Sequence, residues 1–389
     1  MESSPFRTET ELRRLTGRKW TDHPPDVLPA WVADMDLLPP PFVADAVGLL
    51  TERGDFGYHQ VAADRLPGRF VDWQRSHHGW DPDPDRVVLF NDVLHGIVQS
   101  IWFHTEPGDG IVLLTPIYPP FIQAVEESGR RIVDVPLAVD GWRLDTDRLA
   151  DAVATGDARA ILLCNPHNPT GRVFDDQELA AIGRVVVEHD LLLLSDEVWA
   201  DLVHPGPTHR PSATIGPDVA ARTVTFSSPS KAFNLAGLRC AVAHVGHDGL
   251  ADRFAGLPTH FLGAVSTPGA EAARRCWSEE GATWLSAVRA LLTDRRDQLT
   301  DRLAVDLPEV RYQPPEATYL AWLDCAGLGL PTDPATWILE YAKVALVSGP
   351  NFGVGGRDYA RINVATSPQV LDAVIDRIVA AVRDRPDLH

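Results

Sequence analysis

Short uninterrupted apolar runs recur along this chain, separated by stretches in which apolar residues return every three or four positions. The runs are RVVLF (86–90), GIVLLT (110–115), ARAILLC (158–164), DLLLLSD (190–196), RTVTFSS (222–228) and CAVAHVG (240–246). They are too short for helices and do not alternate with polar residues, as expected of strands covered on both faces. DVLHGIVQSIWFHT (92–105) and DDQELAAIGRVVVEHD (175–190) carry the helical period between them. Strand and helix in alternation predict an α/β fold, a mostly parallel sheet sandwiched by helices.

The pattern changes after about residue 268. Residues 268–304 read as two helices, the second long and amphipathic. YLAWLD (319–324) and ARINVA (360–365) read as short strands, and SPQVLDAVIDRIVAAV (367–382) as a final helix. The first 45 residues are proline-spotted and irregular, with WVADMD (31–36) embedded in them. The expected organisation is a large ligand-binding domain over 46–284. A smaller α+β domain is expected from residues 1–45 together with 285–389.

Composition narrows the partners. The 389 residues carry 35 basic and 54 acidic side chains, a net charge of −19. Such a surface repels nucleic-acid phosphates and anionic membranes, so neither is an expected partner. Cys164, Cys240, Cys276 and Cys325 stand far apart with no CxxC pair, which argues against a disulfide framework or zinc ribbon and fits a reducing compartment. No metal is expected, because His77-His78 has no third ligand at a metal spacing and reads as solvated surface. The start has no apolar signal region, and no apolar run is long enough to span a membrane; the expected location is the cytoplasm. Only three of the basic residues are lysines, Lys19, Lys231 and Lys343, so chemistry that needs an amine has three candidates.

Open α/β sheets bind ligands at the carboxyl ends of their strands. Asn91-Asp92-Val93-Leu94 follows the first run and opens a helix whose free N–H groups can hold a phosphate. TPIYPPF (115–121) sets Tyr118 in a proline-stiffened turn, and NPHNPTGRVF (165–174) is a turn rich in Asn, Pro and Gly. SDEVWADL (195–202) begins with adjacent acids, and SSPSKAFNLAGLR (227–239) holds Lys231. Lysine, carboxylate, amide, aromatic ring and anion-binding turn thus meet at one sheet edge. A phosphorylated pyridine aldehyde needs all five: an amine for the Schiff base, a carboxylate for the ring nitrogen, an amide for the ring hydroxyl, a ring to stack on, and donors for the phosphate.

In the ordered set NPxNPTG, SDE, SxSK and a late RxN, the chain resembles the fold-type I pyridoxal-phosphate enzymes. WVADMD, TPIYPPF, SKAFNLAGL and PEATYLAWLD make it similar, within the class I/II aminotransferase-like group, to the MalY/PatB-type, cystathionine β-lyase-like carbon–sulfur β-lyases. The resemblance runs from WVADMD to ARINVATSP. It implies pyridoxal 5′-phosphate as cofactor and α,β-elimination on an L-cysteine S-conjugate, giving thiol, pyruvate and ammonia. It further implies Lys231 as Schiff-base lysine, Asp196 on the pyridine nitrogen, Asn168 on the ring hydroxyl and Tyr118 stacked on the ring. Val93, Leu94, Ser228, Ser230 and Arg239 would lie on the phosphate side. Tyr58 would reach a phosphate across a homodimer interface, and Arg361, with Asn168, would take the substrate α-carboxylate.

Three positions depart from that pattern. Asp92 stands where the group usually has glycine, and its side chain is expected to cap the helix instead. Trp199 stands where this lyase branch commonly has His and transaminases Tyr, and indole only donates. Arg239 looks more like the transaminase phosphate arginine. These leave an aminotransferase as the alternative activity, with a dedicated biosynthetic lyase or decarboxylating deaminase on a bulky S-conjugate behind it. A regulatory role of the kind some MalY-type proteins have could coexist with either.

Overall fold

The computed structural model describes residues 5–57, 61–258 and 261–385. Its larger sheet has seven strands: β1 (Val87–Phe90), β2 (Gly110–Leu113), β3 (Arg131–Asp134), β4 (Ala158–Cys164), β5 (Leu192–Asp196), β6 (Thr223–Ser227) and β7 (Ala241–Val245). They lie side by side in the order β1-β7-β6-β5-β4-β2-β3. All neighbours are parallel except those of β7, which runs antiparallel to both β1 and β6. This is the expected α/β architecture with one strand reversed.

The strands divide their side chains between two cores. Ile111, Leu113, Leu162 and Leu194 face one, with Ile97 and Ile101 of helix α1 (Val93–His104). Val112, Ile161, Leu163 and Leu193 face the other, with Leu179, Ile182 and Val186 of helix α2 (Asp176–Glu188). Continuous apolar runs follow directly from this two-sided burial. Gly96 lets α1 lie close on the sheet, since a Cβ there would stand 2.9 Å from the Phe226 ring. The sequence pattern did not mark β3: its ends, Arg131 and Asp134, are exposed because the strand lies at the sheet edge.

The helices over 268–304 are Thr267–Cys276 and α3 (Glu279–Asp306). Beyond them lies an antiparallel four-stranded sheet of β8 (Arg311–Tyr312), β9 (Leu320–Asp324), β10 (Val347–Ser348) and β11 (Tyr359–Asn363), ordered β10-β11-β9-β8. Leu303 of α3 joins Ile362 and Leu323 of this sheet, and Leu371 and Ile375 of the closing helix Pro368–Arg383, in one buried cluster. The N-terminal segment crosses to this end of the molecule. Leu28–Pro29 pairs in parallel with Val344–Ala345, and the Asn363 N–H donates to the Ala30 carbonyl at 2.8 Å. Among the described residues no helix is long and apolar enough to cross a membrane.

Candidate active site

A cavity of about 250 Å³ opens at the carboxyl ends of β4, β5 and β6. Tyr118, Asn168, Asp196, Lys231, Val93, Leu94, Ser228, Ser230 and Arg239 all contribute to its wall. Residues far apart in sequence therefore converge as the loop reading requires. Tyr58 lies outside the described residues, and Arg361 stands one layer behind the wall.

Asp196 ends β5, and hardly any of it is exposed. One carboxylate oxygen accepts the Val198 N–H at 3.1 Å, and the other faces the Cys164 thiol at 3.8 Å. Burial without a cation in contact pushes its pKa up to about 7; the Val198 N–H and the more distant Lys231 charge pull the other way. A carboxyl in that setting is short of a positively charged hydrogen-bond donor.

Lys231 sits across the cavity, its Nζ donating to the Ala33 carbonyl at 3.1 Å and lying 5.6 Å from the centre of the Trp199 ring. Burial lowers its pKa, and the Arg361 charge adds to that; Asp34 and Asp196 oppose it. Trp199 is buried edge-on against Tyr319, ring centres 5.0 Å apart, and the Tyr319 hydroxyl donates to the same Ala33 carbonyl at 2.8 Å. Tyr319 is delivered by Thr318, whose φ of 74° is costly for a β-branched residue, about 1–3 kcal/mol. Thr318 is held there by bonds from its N–H to Leu202 and to its carbonyl from His204.

Asn168 is oriented by Arg361. The guanidinium donates to Asn168 Oδ1 at 2.9 Å and to the Trp31 carbonyl at 3.1 Å. Guanidinium has no acceptor, so the amide oxygen must face it and the amide N–H₂ is left for the cavity. Desolvation of the buried guanidinium lowers its pKa to about 10, and its Nε has no protein partner. Gly171, in the same turn, has a φ of +71°, and a Cβ there would stand 2.2 Å from Pro315. Only glycine lets NPTG pack under the 315–319 segment.

At the phosphate end, Val93 and Leu94 are the first two residues of α1, whose N–H groups have no partner within the helix. Asp92 does cap this helix: Oδ1 accepts the His95 N–H at 2.7 Å, while Oδ2 pairs with Arg239 at 2.6 Å. Ser228 lines the cavity, but its hydroxyl proton goes to the Cys240 carbonyl at 2.7 Å. It also accepts the Ser230 N–H at 3.1 Å, which braces the turn. Ser230, Arg239 and the helix end stand beside it on the same side of the cavity.

Sequence reasoning missed the segment that closes the cavity. In WVADMD, successive carbonyls are captured by side chains from elsewhere in the chain. Arg361 takes that of Trp31, Asn363 those of Val32 and Asp34, Lys231 and Tyr319 that of Ala33, and Asn234 that of Met35. Lys19 donates to the Asp34 carbonyl and pairs with Asp36 at 2.9 Å, both groups buried. WVADMD, SKAFNLAGL, PEATYLAWLD and the late RxN each stand out in the sequence, but nothing in their pattern shows that they bind one another. The solvated-surface reading of His77-His78 holds for His77, which is exposed and stacks on Trp73, but not for His78, whose side chain is buried on Asp201 at 3.0 Å with its ring 5.4 Å from that of His209. His209 in turn pairs with Glu197 at 3.0 Å, which gives the second acid of SDE a structural role.

The residues present fit a pyridoxal-phosphate group: an amine, a buried carboxyl short of a cation, an oriented amide and a donor-rich helix end surround one cavity. Comparison with known proteins agrees. The family described as aminotransferase class I and II matches residues 33–378. Cystathionine beta-lyase PatB of Bacillus subtilis (strain 168) is 32% identical, over 92% of this chain and 93% of that protein. The cystathionine beta-lyase of Corynebacterium glutamicum is also 32% identical, over 96% of this chain and 98% of that one. The crystal structure of cystalysin from Treponema denticola, which contains a pyridoxal 5′-phosphate cofactor, superposes with a TM-score of 0.91 at 29% identity, covering 97% of this chain and 98% of that one.

Proposed function

The chain belongs to the aminotransferase class I and II family, and within it we propose that it is a pyridoxal-phosphate-dependent carbon–sulfur β-lyase. The substrate class is an L-cysteine S-conjugate of the cystathionine kind, cleaved to thiol, pyruvate and ammonia. The observation that supports the cofactor reading is geometric: buried Asp196 and Lys231, its amine held to a backbone carbonyl, wall one cavity; the lyase reading is supported by similarity to cystathionine beta-lyases along nearly the whole chain.

Pyridoxal phosphate, when bound, supplies an aldehyde for the amine and a ring that accepts electrons from Cα. Lys231 supplies the amine; because burial lowers its pKa, it is available to take the Cα proton once freed. Asp196 keeps a proton at the ring nitrogen, and Asn168, locked by Arg361, donates its amide N–H to the ring oxygen. Tyr118, half-buried beside Phe121, offers its face to the ring. Arg361 and Asn168 are assigned to the substrate carboxylate, which fixes the Cα–H bond for proton removal. Trp199 neither accepts nor gives up a proton there, so proton transfer falls to Lys231.

We also assign the protein a homodimeric state with shared active sites, in which Tyr58 reaches the partner's phosphate. Exposed Phe56, Trp102 and Phe261 supply apolar surface for a second copy, and analytical ultracentrifugation of the cofactor-loaded protein should give twice the chain mass. Work in the cytoplasm is supported by four buried, unpaired cysteines.

The decisive experiment is product analysis of purified protein given pyridoxal phosphate, cystathionine and S-alkyl cysteines, with no keto acid added. Stoichiometric pyruvate, ammonia and thiol are expected, and Lys231→Ala should lose all three. Cofactor binding without pyruvate would shift the reading to amino-group transfer, seen by adding a keto acid. Failure to bind the cofactor would overturn it.

A further inference from the structure

We infer that Asp92 is a resident anion that competes with the cofactor's phosphate and sets this chain's affinity for it. The inference rests on the proposed cofactor reading. Of the groups that could hold a phosphate, two are engaged by Asp92. Its Oδ2 pairs with Arg239 at 2.6 Å, and its Oδ1 takes the His95 N–H at 2.7 Å, the third amide of the α1 terminus. Asp92 lines the same cavity as Val93, Leu94, Ser230 and Arg239. A phosphate seated on the Val93 and Leu94 amides therefore lies beside a carboxylate and shares its arginine with it.

Two opposing effects decide the sign. Asp92 pre-positions Arg239, which favours phosphate. That gain is small, because the Arg239 side chain is 62% exposed, and exposed pairs contribute little. Against this stands repulsion between a carboxylate and a phosphate carrying up to two charges, in a wall where the Asp92 side chain is only 30% exposed and screening is weaker than in water. Repulsion wins.

The substitutions Asp92→Asn and Asp92→Ser remove the charge while keeping a residue that caps helices well, so α1 should survive both. The test measures dissociation constants of the cofactor-free protein and both variants for pyridoxal phosphate and for pyridoxal, followed by quenching of tryptophan fluorescence. Inorganic phosphate serves as competitor. Both variants should bind pyridoxal phosphate about tenfold more tightly, equivalent to about 1.4 kcal/mol, with pyridoxal unchanged. Inorganic phosphate should compete correspondingly better. Arg239→Gln should weaken pyridoxal phosphate binding more in the Asp92→Asn background than alone, because the arginine then serves only the phosphate. Unchanged or weaker binding in both Asp92 variants would overturn the inference and make Asp92 a positioning residue for Arg239, leaving the cofactor reading intact. An equal gain for pyridoxal would overturn it too, since the effect would not be phosphate-specific. Absence of binding by every form would overturn both.

Discussion

Asp196 illustrates what a single carboxyl can report. Its pKa rises from 3.8 to about 7 in the folded chain, so without cofactor the native state holds its proton more tightly than the unfolded state does. By linkage, the stability this proton confers is fully present below about 3.8 and is lost as pH climbs through about 7. Cofactor-free protein should therefore be less stable at pH 8 than at pH 6 by about 1 kcal/mol from this group. Calorimetry across that window checks it, and Asp196→Asn should flatten the slope. The same variant should lose elimination activity by about a hundredfold or more, because an amide cannot hold the ring nitrogen's proton. The placement of these residues was largely legible beforehand: Asp196 ends a strand, and Tyr118, Asn168 and Lys231 stand in loops that follow strands, which show in the apolar pattern. Arg361 was legible as a residue but not as the group that orients Asn168. That relation depends on a hydrogen bond between positions 193 apart.

At the level of elements, two buried ion pairs hold the loops that carry those residues. Arg172 makes a two-pronged contact with Glu178, 2.8 Å on each side, and Glu178 also accepts the N–H groups of Leu144 and Asp175. The pair ties the 165–174 turn to α2. Glu178→Gln should cost about 3–5 kcal/mol, because the buried guanidinium loses its counter-charge; denaturant unfolding measures it. The Lys19–Asp36 pair plays the same part for the 31–36 segment, and Lys19→Met should destabilise the protein by a similar amount while sparing the lysine that does chemistry. Here the sequence was less readable. A scarce lysine points to chemistry or to nothing, and only packing reveals that Lys19 is structural. Nor did the apolar runs show that β7 is reversed, since a run buried on both faces reads the same in either direction.

The molecule as a whole builds its cavity from both chain ends and the middle. Val32 and Asp34 offer their carbonyls to Asn363, more than 320 residues away, and Ala33 offers its own to Lys231 and Tyr319. Asn363→Ala should therefore lower kcat/KM by about tenfold to a hundredfold through misplacement of that segment. Its circular dichroism spectrum should not change, and steady-state kinetics on the cleaved S-conjugate would show the loss. No pattern of side chains along the sequence announces this arrangement, because the partners on one side are backbone carbonyls.

That arrangement also dictates when activity can arise during synthesis. The ribosome releases WVADMD first, yet the groups that seat it, Arg361 and Asn363, lie in the last strand, β11. The central sheet has every strand it needs by residue 245 and can collapse while the tail is still being made, as larger chains commonly do. Until the tail arrives, the amino-terminal segment has no fixed berth beside Lys231. Nascent chains stalled before β11 should thus already resist protease across the sheet while lacking any turnover. Catalytic competence is the last property this polypeptide acquires.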